Sequence, residues 1–277
     1  MPLDLAIAGI YFRCHLPDPA WLEPLAQRYH LFLGAGPQPW QIDLVVEEQV
    51  ETALFSSVIA GWVTHFTIQG HRGWIDLEQR RARVSTPSLA RAPSALERVL
   101  SYACMHELPQ TGQGLLLHAA GIVLDGQGHV FFGPSGAGKS TVARLAQGVG
   151  QVLCDEAVIL RHSAAGIELL STPFWGLGTR LEDVRFVQAR APLHCLYQLI
   201  QAPTFALEQL EPAPATMALL ATEKVATERT AAAHAWLAAV AALLDRVPVY
   251  RLAFRPTADL WDFLGRRGSG LGSRRDR

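Results

Sequence analysis

The chain is poor in cysteine, nearly neutral and without a long apolar run, and each shortage narrows what it can be. Its four cysteines, Cys14, Cys104, Cys154 and Cys195, stand far apart, without the paired spacing of a zinc site or a disulfide framework. They fit reduced thiols in a cytoplasm. The formal charge is -1 over 277 residues, which argues against a nucleic-acid binder held by a broad basic face. No apolar stretch approaches the roughly 20 residues that span a bilayer, and the start Met1-Pro2-Leu3-Asp4 lacks the basic region of a signal peptide. The expectation is a soluble, cytoplasmic protein with neither nucleic acid nor membrane as partner. Against these shortages stands a hydrophobic share of 49%, ample for the core of one large domain or two ordinary ones.

The first third reads as mainly β. Apolar runs with β-branched and aromatic residues at Leu5 to Phe12, Gln41 to Val46, Trp62 to Ile68 and Trp74 to Leu77 predict strands. Gly70-His71-Arg72-Gly73 predicts a hairpin turn, and Pro19 to Tyr29 a helix. After a turn-rich stretch at Ser85 to Ser88, Leu96, Val99, Leu100 and Ala103 fall at helical spacing. That helix is expected over Ser94 to Glu107, with Ser94 as N-cap and Glu97 at the capping-box position. From Leu115 strand and helix signals alternate: Leu115 to Leu124, Gly128 to Phe132, a helix, then Val152 to Leu160. The short Asp125-Gly126-Gln127-Gly128 link predicts an antiparallel hairpin and hence a mixed sheet. Thr230 to Leu244 reads as a helix, Val249 to Phe254 as a strand and Ala258 to Leu264 as a short helix. The division expected is a β-rich region over residues 1–90, an α/β domain over 91–264, and a disordered tail over 265–277 holding five arginines and four glycines.

Gly133-Pro134-Ser135-Gly136-Ala137-Gly138-Lys139-Ser140-Thr141 fits the P-loop pattern, between the apolar His129 to Phe132 and the amphipathic Val142 to Ala146. Small residues let the backbone fold around an anion, so that its amides and the positive end of the next helix meet phosphate oxygens. Gly133, Ser135, Gly136, Ala137, Gly138, Lys139, Ser140 and Thr141 are therefore the candidate nucleotide-binding residues. In this pattern Lys139 reaches the β and γ phosphates of ATP or GTP, and the Ser140 hydroxyl holds Mg²⁺.

Phosphate chemistry also needs an oriented metal and a deprotonated nucleophile. Asp155 and Glu156 stand together in the apolar run Val152 to Leu160, about 15 residues past Lys139. If that strand lies beside the P-loop strand, one carboxylate faces the metal and the other the incoming hydroxyl; the plainer reading is a strand end with solvated acids. His118, in Leu115 to Gly121, either bonds phosphates, orients an acid or is a satisfied core histidine. Its strand ends at the phosphate end of the P-loop strand or at the opposite one, and the sequence leaves both open. Leu170 to Gly178, with Ser171, Thr172, Pro173, Phe174, Trp175 and two glycines, suits a lid with an exposed Trp175 or a packed turn. Arg180, Arg185 and Arg190 follow, and any one could neutralise transferring phosphate.

The order of histidine strand, short turn, P-loop strand and acidic pair, from His118 through Gly133 to Thr141 to Asp155-Glu156, resembles the catalytic domain of HPr serine kinase/phosphorylases and their smaller relatives. The resemblance spans about Ser94 to Leu264 and implies a mixed-sheet α/β fold of the phosphoenolpyruvate-carboxykinase-like P-loop group. It implies ATP and Mg²⁺ as cofactors, catalytic roles for Asp155, His118 and Lys139, and metal positions at Ser140, Asp155 and Glu156. Glu156 departs from the family's usual aspartate. The glycine-rich segment that follows the family's acidic strand is replaced here by Ser171 to Gly176, as in related kinases that lack HPr substrates. Those smaller relatives resemble companions of peptide-modifying systems, including lasso-peptide-type clusters, and this implies a peptide or protein carrying an acceptor serine as partner. Oligomeric state stays open, a homo-oligomer included. Beside a serine kinase stand two other readings, a nucleotide-binding regulatory module without chemistry and a plain NTPase.

Overall fold

A computed structural model of the protein describes residues 2–47, 56–68, 70–175, 187–222 and 230–271. The chain divides into two compact units, Met1–Glu107 and Leu108–Arg277. Among the described residues no helix is long and apolar enough to cross a membrane.

The first unit comprises β1 (Leu3–Ile7), β2 (Ile10–His15), α1 (Leu22–Arg28), β3 (Trp40–Val46), β4 (Ser56–Ala60), β5 (Val63–Ile68), β6 (His71–Asp76), β7 (Arg81–Thr86) and most of α2 (Ala92–Gln110). Its sheet runs β1-β2-β3-β7-β6-β5-β4, parallel at β2–β3 and β3–β7 and antiparallel elsewhere. The expected strand Leu5 to Phe12 is in fact a hairpin, turning at Ala8-Gly9 with Ile7 opposite Ile10. The β5–β6 hairpin pairs Ile68 with His71, two residues earlier than the expected Gly70 to Gly73 turn, and Arg72 and Gly73 belong to β6. In β7 the alternation is legible once seen: Ala82 and Val84 are buried while Arg81 and Arg83 are exposed.

Helix α2 starts two residues earlier than Ser94, with Pro93 in its first turn. The expected capping box is absent. Instead Glu97 accepts a hydrogen bond from Arg28 Nη2 at 2.8 Å and from the Tyr29 hydroxyl at 3.4 Å. Further along the helix, Glu107 accepts from Trp40 Nε1 at 2.6 Å and from Arg80 Nη2 at 2.9 Å. These bonds explain why the boundary lies at the end of α2 and not after residue 90.

The second unit opens with β8 (Gly114–Leu117), β9 (Ala119–Leu124), β10 (Gln127–Phe132), α3 (Lys139–Leu145), β11 (Gln151–Cys154), β12 (Val158–Ser163) and β13 (Gly166–Leu170). It continues with β14 (Arg190–Gln201), β15 (Ala206–Gln209), α4 (Pro212–Leu220), α5 (Thr230–Leu244), β16 (Val249–Phe254) and α6 (Asp259–Leu271). An antiparallel sheet, β8-β12-β13-β14, and a mixed sheet, β11-β9-β10-β14-β16-β15, share β14. Residues Arg190 to Pro192 pair antiparallel with β13, while further on the same strand runs parallel to both β10 and β16. The β9–β10 hairpin is antiparallel as expected, turning at Asp125 and Gly126 with φ of 50° and 75°, the left-handed pair of a type I′ turn.

From Val130 to Phe132, strand β10 is apolar on both faces because both are covered. Phe131 packs on α3 and α6 with Val142, Tyr197, Leu252 and Trp261, while Val130 and Phe132 face a second core built with β8, β12, β13, α4 and α5. Trp261 Nε1 donates to the Leu145 carbonyl at 2.7 Å, fastening α6 to the end of α3. That helix runs to Leu271, into the stretch expected to be a structureless tail; residues 272–277 lie outside the described residues.

Candidate functional site

Two breaks in the sheets build the site. The expected strand Leu115 to Leu124 divides at His118: β8 pairs with β12, whereas β9 pairs with β10 and β11. The expected strand Val152 to Leu160 divides in the same way at Asp155-Glu156, leaving β11 against β9 and β12 against β8. Both chains cross between sheets at one level, since Cys154 pairs with Gly121 on one side and Val158 with Leu117 on the other. His118 Nδ1 and Glu156 Oε1 meet there at 3.3 Å, both partly exposed. Asp155 is buried, 5% exposed.

Register also decides which end of the sheet holds His118. Ala119 is opposite Phe132, the last residue of β10, so His118 stands beside the start of the Gly133 to Thr141 loop. The acidic pair is not carried by a strand beside β10, as the sequence suggested; β9 lies between.

The loop itself is tightly tied. Gly138, with φ of 110°, is the N-cap of α3, and a Cβ there would lie 2.7 Å from Phe254 Cζ. Lys139 is buried and folds back, its Nζ donating to the Gly133 carbonyl at 2.9 Å and the Pro134 carbonyl at 3.4 Å. Ser135, Gly136 and Ser140 are exposed, while Ala137 and Lys139 are buried. Gln201, at the far end of β14, donates from Nε2 to the Gly136 carbonyl at 2.7 Å. Neither Gln201 nor Phe254 was legible as a site residue, because nothing local in the sequence says that β14 and β16 end against this loop.

The Ser171 to Trp175 segment is the packed turn and not an exposed flap. Ser171, Thr172, Pro173 and Phe174 are buried, and Trp175 is partly buried against the core. Thr172 Oγ1 donates to the Ala157 carbonyl at 2.5 Å. The Cys154 thiol donates to the Phe174 carbonyl and accepts from the amides of Glu156 at 3.5 Å and Ala157 at 3.4 Å. Burial pushes that thiol up to about 12, so it stays protonated and able to donate. Cys154 was passed over in the sequence for want of a spaced cysteine partner, and Thr172 was read only as part of a lid or packed turn. Arg190 opens β14 opposite Leu170 and is exposed. Gly176, Gly178, Arg180 and Arg185 lie outside the described residues.

A glycine-rich loop between a strand and a helix, an acidic turn and a histidine at the break between two strands define this site, set in a unit where an antiparallel and a mixed sheet share β14. Residues 95–266 match the family model described as SynChlorMet cassette protein ScmC, and the chain belongs to that family. The solved structure of the Hpr(Ser) kinase/phosphatase from Coxiella burnetii is similar over 56% of this chain and 97% of its own, at 16% identity and a TM-score of 0.33. At that score the likeness decides neither fold nor chemistry. No curated protein matches the sequence.

Proposed function

We propose that the protein is a kinase that transfers the γ-phosphoryl group of ATP, or of GTP, to a serine hydroxyl on a peptide or protein other than HPr. The observation that carries this reading is the register of β9 on β10. It sets His118, with Glu156 at 3.3 Å, beside the start of a P-loop-patterned segment. An NTP-binding loop alone fits many activities, but carboxylates at its mouth fit deprotonation of an acceptor and binding of a cation.

The residues present suit the groups that the reaction needs. A side chain at Gly133 or Gly138 would meet Ala137 or Phe254 at under 3 Å, so the loop backbone stays bare for phosphate oxygens. Among the described residues no three His, Cys, Asp or Glu side chains are arranged to hold a metal ion by themselves. Ser140, Asp155 and Glu156 offer a hydroxyl and two carboxylates, the hard oxygen donors that suit Mg²⁺ shared with phosphates and water. Bound there, Mg²⁺ would offset phosphate charge. In this reading Lys139 leaves the carbonyls of its own loop for the β and γ phosphates, Asp155 takes the proton of the serine hydroxyl, and His118 orients Glu156.

The test is phosphosite mapping by mass spectrometry after incubating the protein with Mg-ATP and small peptides from its host. Serine phosphorylation that disappears with Lys139→Ala and Asp155→Asn is expected. Nucleotide binding with no labelled acceptor, and Asp155→Asn equal to wild type in every assay, would replace the kinase by a regulatory nucleotide-binding module.

A further inference from the structure

Between Cys154 and Val158 the backbone leaves one sheet and has not yet joined the other, so neither ladder fixes the direction of the two carboxylates. Two buried side chains take over that task. We propose that Cys154 and Thr172 are positioning residues that aim Asp155 and Glu156 at the mouth of the Gly133 to Thr141 loop, an inference that rests on the kinase reading.

The bonding is reciprocal. The thiol holds the amides of Glu156 and Ala157 from one side and donates to Phe174 across the turn. Thr172 holds the Ala157 carbonyl from the other side while its Oγ1 accepts from the Phe174 amide at 3.3 Å. Cys154 is 0% exposed and Thr172 is 1% exposed, so water cannot replace these bonds when one is lost. Ser171 anchors the same segment from below, its Oγ accepting from the Ala189 amide at 3.0 Å. The turn after β11 and the segment after β13 are thus one hydrogen-bonded body, and the carboxylates ride on it. A side chain that holds a ligand's backbone acts on metal affinity through the ligand, typically by about 10- to 100-fold on removal.

The experiment compares equilibrium binding of a fluorescent ATP analogue in Mg²⁺ and in EDTA for wild type, Thr172→Val, Thr172→Ser and Cys154→Ala, with melting curves for each. Thr172→Val keeps the shape and loses both the donor to Ala157 and the acceptor for Phe174; it is expected to raise the Mg²⁺ concentration for half-maximal enhancement of binding about tenfold. Affinity in EDTA should stay within about twofold of wild type, because the loop's own contacts to the nucleotide are untouched. Thr172→Ser restores the hydroxyl and should recover the wild-type value, which keeps the comparison informative if Cys154→Ala does not fold. Faster hydrogen exchange in Thr172→Val, without nucleotide, at the Phe174 amide, which loses its acceptor, and at the Glu156 and Ala157 amides of the loosened turn is the second expected sign. If Thr172→Val matches wild type in Mg²⁺, or loses affinity equally in Mg²⁺ and EDTA, the positioning role is wrong and the kinase reading stands. If wild type itself shows no Mg²⁺-dependent nucleotide affinity, the kinase reading falls and takes this inference with it.

Discussion

Replacing Gly138 by alanine tests how the loop is supported from beneath. Two costs add. At φ of 110°, an L-residue at position 138 carries a penalty of about 1–2 kcal/mol. Its Cβ would also stand 2.7 Å from Phe254 Cζ, and Phe254 is 1% exposed. The ring therefore has no free space to enter, and overpacking of this kind costs about 1–3 kcal/mol. The expected loss is about 2–5 kcal/mol. Amide hydrogen exchange in β10 and β14 is the suitable assay, because it reads the second unit residue by residue and does not mix in the melting of the first. A double variant separates the terms: with Phe254→Leu the clash is relieved but the backbone penalty is not. The pair should then destabilise by about 1–3 kcal/mol less than the sum of the single changes. A Gly138→Ala protein within about 0.5 kcal/mol of wild type, or strict additivity in the pair, would refute the support assigned to Phe254.

Two pH experiments follow from partly buried groups of opposite sign. Burial raises the Glu97 carboxyl from 4.5 to about 7 despite Arg28, so its contribution is complete below pH 4.5 and is lost as pH rises through 7. Relative to Glu97→Gln, wild type should lose up to about 3 kcal/mol between those limits, read by urea unfolding of the first unit. Burial lowers His129 from 6.5 to about 4, with His194 adding to the shift. Its contribution is present above pH 6.5 and lost as pH falls through 4, so His129→Phe should resist acid by up to about 3 kcal/mol relative to wild type, read by exchange in β10.

Local patterns made some of this molecule legible and long-range pairing hid the rest. The strand–loop–helix around Gly133 to Thr141, the β9–β10 hairpin, helix α5 and strand β16 all follow from spacing and turn chemistry within short windows. The breaks at His118 and Asp155-Glu156 did not, because a run such as Leu115-Leu116-Leu117-His118-Ala119-Ala120 has the same apolar signature whether it serves one sheet or two. Strand β14 was missed for a related reason: it is buried along part of its length against different partners, so its burial has no single period. For the site, the sequence supplied the residue types at the loop mouth, and register supplied their meeting. The contributions of Gln201, Phe254, Cys154 and Thr172 depend on which strand ends next to which, and no spacing rule encodes that. Glu97 shows the converse error. Read locally as a capping residue, Glu97 is taken instead by Arg28, a partly buried partner 69 residues away in the chain.

The sharing of β14 makes alignment in the two sheets a single decision. Leu196 faces one core while Tyr197 and Leu199 face the other, so a slip of one residue would exchange the two faces against β10 and β16 together. A deletion between Leu193 and Leu199 is therefore unlike a deletion in the Ala164-Ala165 turn, which lengthens or shortens a surface link. It would also displace Gln201 from Gly136, and so carry an error made in the middle of the sheet out to the loop. Strands β10, β14 and β16 are far apart in sequence yet pair in parallel, a topology that needs long loops to close and slows folding. The Gly133 to Thr141 segment, local as its pattern is, takes its support from Gln201 on β14 and Phe254 on β16, far along the chain.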